Sequence, residues 1–259
     1  ASARKPANKK SPANPRRTPF SSSILLNVMT TWNFKKPLCI VIAVQLVCGS
    51  TGLGQHTSAP PSIEWQQSFG GSKDDFLLVL QPTADGGFIV GGETSSGISG
   101  NKTTPSLGGW TDYWILRLDS QGNKLWEQTL GGAGDDRLTS VIQTSDGGFI
   151  LGGMSDSATN SIKTDPGYGR ADFWVVRLDA AGNKLWDRCY GGASGDSIYA
   201  MRQINDGGFI FGGWSGSTPG GNKSSPLYGS GNYWIVRVDA EGNKLWDASF
   251  GGGSEYLLE

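Results

Sequence analysis

Histidine and cysteine are nearly missing from this chain: one histidine and three cysteines stand among 259 residues. His56 falls in a stretch that reads as a linker, and Cys39 and Cys48 fall in what reads as a leader, so the remainder keeps only Cys189. A lone cysteine allows no internal disulfide. Zinc, which takes nitrogen and sulfur donors, has too few of them here, and a nucleophilic Cys189 would lack a neighbouring histidine base. We read Cys189 as a small residue on a packed strand. Charge is also sparse, at 17% of residues, and unevenly placed. Arg4, Lys5, Lys9, Lys10, Arg16, Arg17, Lys35 and Lys36 all precede Glu64, the first acid, which leaves the rest of the chain strongly acidic. An acidic body excludes a nucleic-acid partner, which requires a basic face. The longest apolar run, Pro37 to Cys48, holds roughly 11 apolar residues, well short of the ~20 that span a bilayer. Long helices are excluded by composition: 40 glycines are present, and each costs about 1 kcal/mol relative to alanine inside a helix.

The basic residues, the apolar run and the small residues Gly49 to Gly54 follow one another in the order of a secretory signal peptide. We therefore expect residues 1–54 to form a basic extension and signal peptide, cleaved after Gly54, with 55–62 as a linker. The expected location is extracellular or at the cell surface, with no transmembrane segment in the mature chain.

What the chain has in abundance is itself. Gly122-Asn-Lys-Leu-Trp126 recurs at 182–186 and 242–246, and Asp85-Gly-Gly-Phe-Ile89 recurs at 146–150 and 206–210. Asp112-Tyr-Trp114, Asp172-Phe-Trp174 and Asn232-Tyr-Trp234 form a third series. The period is about 60 residues, the signature of a repeat architecture. Each unit reads as four strands. In the second, strand a is 138–144, Asp-Gly-Gly forms a tight turn that favours positive φ, strand b is 149–153, a loop of roughly 18 residues follows, and strands c and d are 173–179 and 184–190. Strand b is apolar on both sides, as a strand covered on both faces should be. Four antiparallel strands per unit, stacked so that neighbours cover each face, predict an all-β protein of β-propeller blades. Trp114, Trp174 and Trp234, with Trp126, Trp186 and Trp246, are expected to fill the space between blades.

The units run 72–132, 133–192 and 193–252, preceded by a lone strand d within 63–71 and followed by the start of another unit at 253–259. Propellers close with about 4–8 blades. The expectation is an incomplete ring, a fragment whose remaining blades belong to the same protein.

The motif Asp-Gly-Gly-Phe-Ile-x-Gly-Gly, followed by Asp-Tyr/Phe-Trp-x-Val-Arg-Leu-Asp-x-x-Gly-Asn-Lys-Leu-Trp and a closing Gly-Gly, resembles the bacterial propeller-like repeats of about 60 residues. Those repeats occur in large secreted proteins, often with a type IX secretion sorting domain. The resemblance covers residues 63–259 and implies a propeller fold and secretion; it implies no particular activity. The stretch 179–186 is also similar to the repeats of quinone-dependent dehydrogenase propellers, but their units are shorter, and neither cofactor ligands nor paired cysteines are present here.

In a blade of this order the d–a and b–c connections share one face. The b–c loops, 94–111, 155–171 and 215–231, are long, and loops on a rigid scaffold are where binding concentrates. Their candidate ligand-binding residues are Trp110, Tyr168 and Tyr228, with Lys102, Lys163 and Lys223. On the same face Asp74, Asp75, Asp135, Asp136, Asp196 and Glu255 read as caps of turns and loops, with Ca2+, a hard cation that prefers oxygen, as the alternative reading of these acids. Asp119, Asp179 and Asp239 read as turn formers, and Arg117, Arg177 and Arg237 as partners of carboxylates between blades. No cofactor is otherwise expected. The function expected is a non-catalytic binding or scaffold module for an extracellular glycan or protein. The alternative is a propeller enzyme, a glycoside hydrolase or a quinone-dependent oxidoreductase, with its site in other blades.

Overall fold

The computed structural model describes residues 62–252, together with the backbone of two short strands before them. Most of the expected leader, the linker with His56, and the start of a further unit at 253–259 with Glu255 lie outside the described residues. The described chain is all-β and contains no helix, hence none long and apolar enough to cross a membrane. Two strands from the N-terminal stretch, β1 (Leu25–Val28) and β2 (Ile40–Gln45), precede β3 (Gln66–Phe69). The first unit holds β4 (Asp75–Pro82), β5 (Phe88–Thr94), β6 (Asp112–Leu118) and β7 (Lys124–Leu130). The second holds β8 (Asp136–Gln143), β9 (Phe149–Ser155), β10 (Asp172–Leu178) and β11 (Lys184–Tyr190). The third holds β12 (Asp196–Gln203), β13 (Phe209–Ser215), β14 (Asn232–Val238) and β15 (Lys244–Phe250).

Each unit is a four-stranded antiparallel meander in chain order, and the three sheets are blade-like repeats that form no closed ring. A fourth sheet has the order β1-β2-β3. There β2, from the segment read as the apolar core of a signal peptide, pairs antiparallel along β3, with Ile40 opposite Phe69 and Ala43 opposite Gln66. It takes the place beside strand d that strand c holds in the other units. A free strand edge presents unpaired N–H and C=O groups that any extended segment can satisfy.

The turns form for local reasons. Gly147 adopts φ 85° and donates its N–H to Thr144 O at 2.9 Å, which closes the Asp-Gly-Gly turn. Asp179 accepts Asn183 N on Oδ1 at 2.8 Å and Asn183 Nδ2 on Oδ2 at 2.9 Å, bracing the c–d turn. Arg177 does not reach between units as expected. Its guanidinium stays within its own sheet, paired with Asp146 of the a–b turn at 2.6 Å and donating to Phe149 O at 3.1 Å, and Arg117 and Arg237 pair likewise with Asp85 and Asp206. The side chain runs along the sheet toward the adjacent turn, where an acid is already positioned.

The cores lie between successive sheets. Trp174 is fully buried and meets Tyr113 of the preceding unit with ring centroids 4.8 Å apart; Trp234 meets Phe173 at 4.7 Å. The second series alternates with it, Trp126 edge-on to Phe149 at 5.8 Å and Trp186 to Phe209 at 6.4 Å. A side chain of this size buries about 150–250 Å2, roughly 4–6 kcal/mol of transfer free energy as an upper bound. Glycine on strand b permits the close approach. A Cβ on Gly152 would lie 2.4 Å from Met201 Sδ of the next sheet, whereas one on Gly212, on the last sheet, would meet nothing within 4 Å. The outer face of the third unit is correspondingly uncovered: Tyr233 and Phe250 are 46% and 55% exposed, where Phe173 and Tyr190 are buried.

Candidate functional site

The b–c and d–a connections meet on one face. Ser95 N donates to Asp74 O at 2.9 Å and Asp156 N to Asp135 O at 3.2 Å, stitching the end of strand b to the preceding d–a loop. Asp136 N donates to Thr111 O at 2.9 Å and Asp196 N to Ala171 O at 2.7 Å, joining each unit to the one before it.

Each long loop is pinned to its own sheet by a buried acid that follows the tryptophan of strand d. In the second unit Asp187 Oδ2 accepts Trp174 Nε1 at 3.1 Å, Thr164 N at 2.9 Å and Asp165 N at 3.2 Å, while Oδ1 accepts Thr164 Oγ1 at 2.5 Å and Lys184 Nζ at 2.6 Å. Glu127 and Asp247 do the same for the other two loops, accepting Trp114 Nε1 at 2.9 Å and Trp234 Nε1 at 3.0 Å. Burial pushes the Asp187 carboxyl up, but the donors from Lys184, Thr164 and Trp174 outweigh it and hold it below the usual carboxylate range. The motif Gly-Asn-Lys-Leu-Trp followed by an acid was visible in every unit; its role was not, because the donors come from a loop some 22–24 residues away.

The three candidate lysines turn inward. Lys102, Lys163 and Lys223 are buried, and their ammonium groups turn into their own loops. Lys102 Nζ donates to Thr104 O at 2.6 Å and Thr129 Oγ1 at 2.9 Å, Lys163 Nζ to Asp165 O at 2.8 Å, and Lys223 Nζ to Ser225 O at 2.6 Å. Lys102 and Lys223 also stand over the Trp114 and Trp234 rings. Burial pushes both of these ammonium groups down.

The aromatic residues do face solvent. Trp110 is 81% exposed, and Tyr168 and Tyr228 are about half exposed. Tyr168 and Tyr228 hold equivalent positions, donating their backbone N–H to Asp172 Oδ2 and Asn232 Oδ1, both at 2.6 Å; Leu107 has this position in the first unit, so Trp110 is offset by three residues. The Tyr168 ring base lies against Gly221 of the next loop. Trp214, not anticipated, adds a further half-exposed aromatic surface over Gly231, at a position filled by Glu93 and Met154 in the other units. Beside Tyr168 the second loop encloses a cavity of about 310 Å3 lined by Ser155, Asp156, Ser157, Thr159, Gly167 and Asp172, among others.

The acids divide. Asp74 is exposed, and Asp135 is taken up by Thr111 Oγ1 at 2.6 Å and Arg137 Nε at 2.8 Å. Asp75 is buried and caps the loop, accepting Gly71 N at 2.7 Å, Thr94 Oγ1 at 2.5 Å and Ser96 Oγ at 3.0 Å. Asp136 and Asp196 cap the following loops, accepting Gly132 N and Gly192 N. Across each seam they face Asp112 and Asp172, two acids the sequence marked only as repeat positions. Burial, with a smaller push from the facing Asp136 and Asp196, raises Asp112 and Asp172 to about 6. Among the described residues no group of three or more His, Cys, Asp or Glu is placed to hold a metal. Cys189 is buried on its strand, its thiol pushed up to about 12 by burial.

No protein-family model matches the chain. Among curated proteins it is similar to a regulatory protein, FlaEY, of Caulobacter vibrioides, 31% identical over 93 residues. That match covers 34% of this chain and 10% of the relative, so the chain spans about a tenth of that protein's length.

Proposed function

We propose that this chain is a secreted or cell-surface β-propeller module that binds an extracellular glycan or protein through its b–c loops and catalyses no reaction. The observation that carries the reading is the construction of that face: three long loops fixed from beneath by Glu127, Asp187 and Asp247, with Trp110, Tyr168 and Tyr228 turned outward. A pinned loop loses little entropy on binding, and an aromatic ring offers a flat apolar face and, in tyrosine, a polar rim. The opposite face has only short, near-identical turns. Closure as a propeller is supported by the uncovered third sheet, whose Tyr233 and Phe250 match residues buried at the two existing seams; further units of the same kind would cover it. Secretion is supported by the order of basic, apolar and small residues before residue 55. The test is a glycan array probed with the chain and with its Tyr168→Ala/Tyr228→Ala variant. The expected result is binding to a defined glycan subset, weakened at least tenfold in a variant that keeps its thermal transition. Unchanged binding would remove the loop face from the reading.

A further inference from the structure

Two carboxylates meet at each seam between successive sheets. Asp112 faces Asp136, and Asp172 faces Asp196; all four are at most 1% exposed. A glycine lies over each pair. A Cβ on Gly131 would sit 2.5 Å from both Asp112 Oδ1 and Asp136 Oδ2, and one on Gly191 would sit 1.8 Å from Asp172 Oδ1 and 2.7 Å from Asp196 Oδ2. Only glycine fits over each pair, because the carboxylate oxygens already stand where a Cβ would go.

The well-formed hydrogen bonds fall on one oxygen of each carboxylate, while the Ser155 and Ser215 hydroxyls stand close to Asp136 and Asp196 and Gly169 N close to Asp172. Leu107 N at 3.0 Å and Ser106 Oγ at 3.4 Å go to Asp112 Oδ2, and Gly132 N and Ser157 Oγ, both at 2.8 Å, go to Asp136 Oδ2. Tyr168 N at 2.6 Å goes to Asp172 Oδ2, and Gly192 N at 3.0 Å and Ser217 Oγ at 2.8 Å go to Asp196 Oδ2. The four Oδ1 atoms are buried and have no partner, and among the described residues these are the only buried side-chain polar atoms so left. The repeat supplies its own comparison. Asp75 matches Asp136 and Asp196 in position but faces no described carboxylate, and both its oxygens are satisfied. At the far edge Asn232 replaces the strand-c acid, and its Nδ2, which would lie 2.1 Å from a Cβ on Gly251, donates to Tyr228 O at 2.9 Å. The orphaned oxygens occur where two acids face each other, and where one acid is missing the position is neutral or fully capped.

Each unit offers one buried ammonium near these acids. Lys163 stands near both Asp136 and Asp172, but its Nζ donates to Asp165 O. Uncompensated buried carboxylates are strongly unfavourable, and oxygen-only donors in such a place suit a hard cation. We propose that each seam binds one Ca2+, held by Asp112 and Asp136 at the first and by Asp172 and Asp196 at the second, with loop oxygens and water completing its shell. At the second seam the cavity bordered by Asp172 gives water and ion a path. The inference is independent of the ligand reading above, since these ions tie sheet to sheet beneath the loops.

The test uses the full chain after EDTA and desalting, titrated with CaCl2 at pH 7 by calorimetry and by thermal unfolding. Two Ca2+ per chain are expected, with a Tm rise of several degrees at saturation. Asp112→Asn and Asp172→Asn should each lower the stoichiometry to one, and the double variant to none. The wild-type titration needs no variant to fold. Absence of Ca2+ binding at 10 mM, with infrared bands of protonated carboxyl groups at pH 7, would overturn the proposal and assign the pairs a shared proton. Binding unaffected in both folded variants would overturn the assignment to these seams.

Discussion

Replacing Asp187 with alanine tests how the long loops are held. The side chain is fully buried and gathers five donors, from Thr164, Asp165, Trp174 and Lys184. Alanine leaves the Trp174 indole N–H and two loop amides without an acceptor, each at about 1–3 kcal/mol if it stays dry, and strands the Lys184 ammonium. Removing one partner of a buried ion pair costs about 3–5 kcal/mol. The loop lies at the surface and can admit water, so we expect the total within that range rather than at the sum of its parts. For a domain of this size the fall in Tm is on the order of 10 °C. The assay is urea unfolding of wild type and Asp187→Ala, followed by far-ultraviolet circular dichroism and tryptophan fluorescence. A loss below about 1 kcal/mol would refute the claim that this acid pins the loop. The pH dependence gives a second check. Because the folded carboxyl is held below its ordinary value of 3.8, its contribution is complete above that value and fades as pH falls through the lower folded one. The stability gap between wild type and variant should therefore be constant from pH 7 to 5 and narrow below about pH 4; a gap unchanged at pH 3 would refute the electrostatic part.

Two further outcomes follow from the packing. Gly152→Ala should destabilise by about 1–3 kcal/mol, because its methyl would enter the space of Met201 and Ile198, whereas Gly212→Ala, which meets nothing, should change stability by less than about 0.5 kcal/mol in urea unfolding; equal effects would contradict the stacking. Cys189 should resist a thiol reagent such as DTNB in the native protein and react fully in 6 M guanidinium, since a buried thiol held up to about 12 supplies almost no thiolate; rapid native labelling would contradict its burial.

The four strands of each unit were legible because the turns between them are coded locally, by Asp-Gly-Gly and by Asp-x-x-Gly-Asn. Strand a was expected from residue 138 and begins at Asp136, because its first hydrogen bond is made across the seam to Thr111 O, a contact no local pattern contains. Lys163 was read as a candidate ligand-binding residue of its loop. Its ammonium is instead enclosed by loop carbonyls, and a charged residue among polar neighbours reads the same either way. Arg177 was expected to bridge units and found its acid within its own sheet. Asp112 and Asp172 went unnoticed as site residues because their significance lies in facing an acid of the next unit. Asn232, standing where the other units have aspartate, was the one sequence signal that set this position apart.

The most direct test of the central claim is hydrogen–deuterium exchange of the chain with and without a saturating glycan taken from the array. The account predicts protection confined to 94–111, 155–171 and 215–231 and the d–a loops beside them, with Tyr168 and Tyr228 in the most protected peptides. Protection confined to the a–b and c–d turns around Gly147 and Gly182, or to the exposed sheet face of Tyr233 and Phe250, would contradict it.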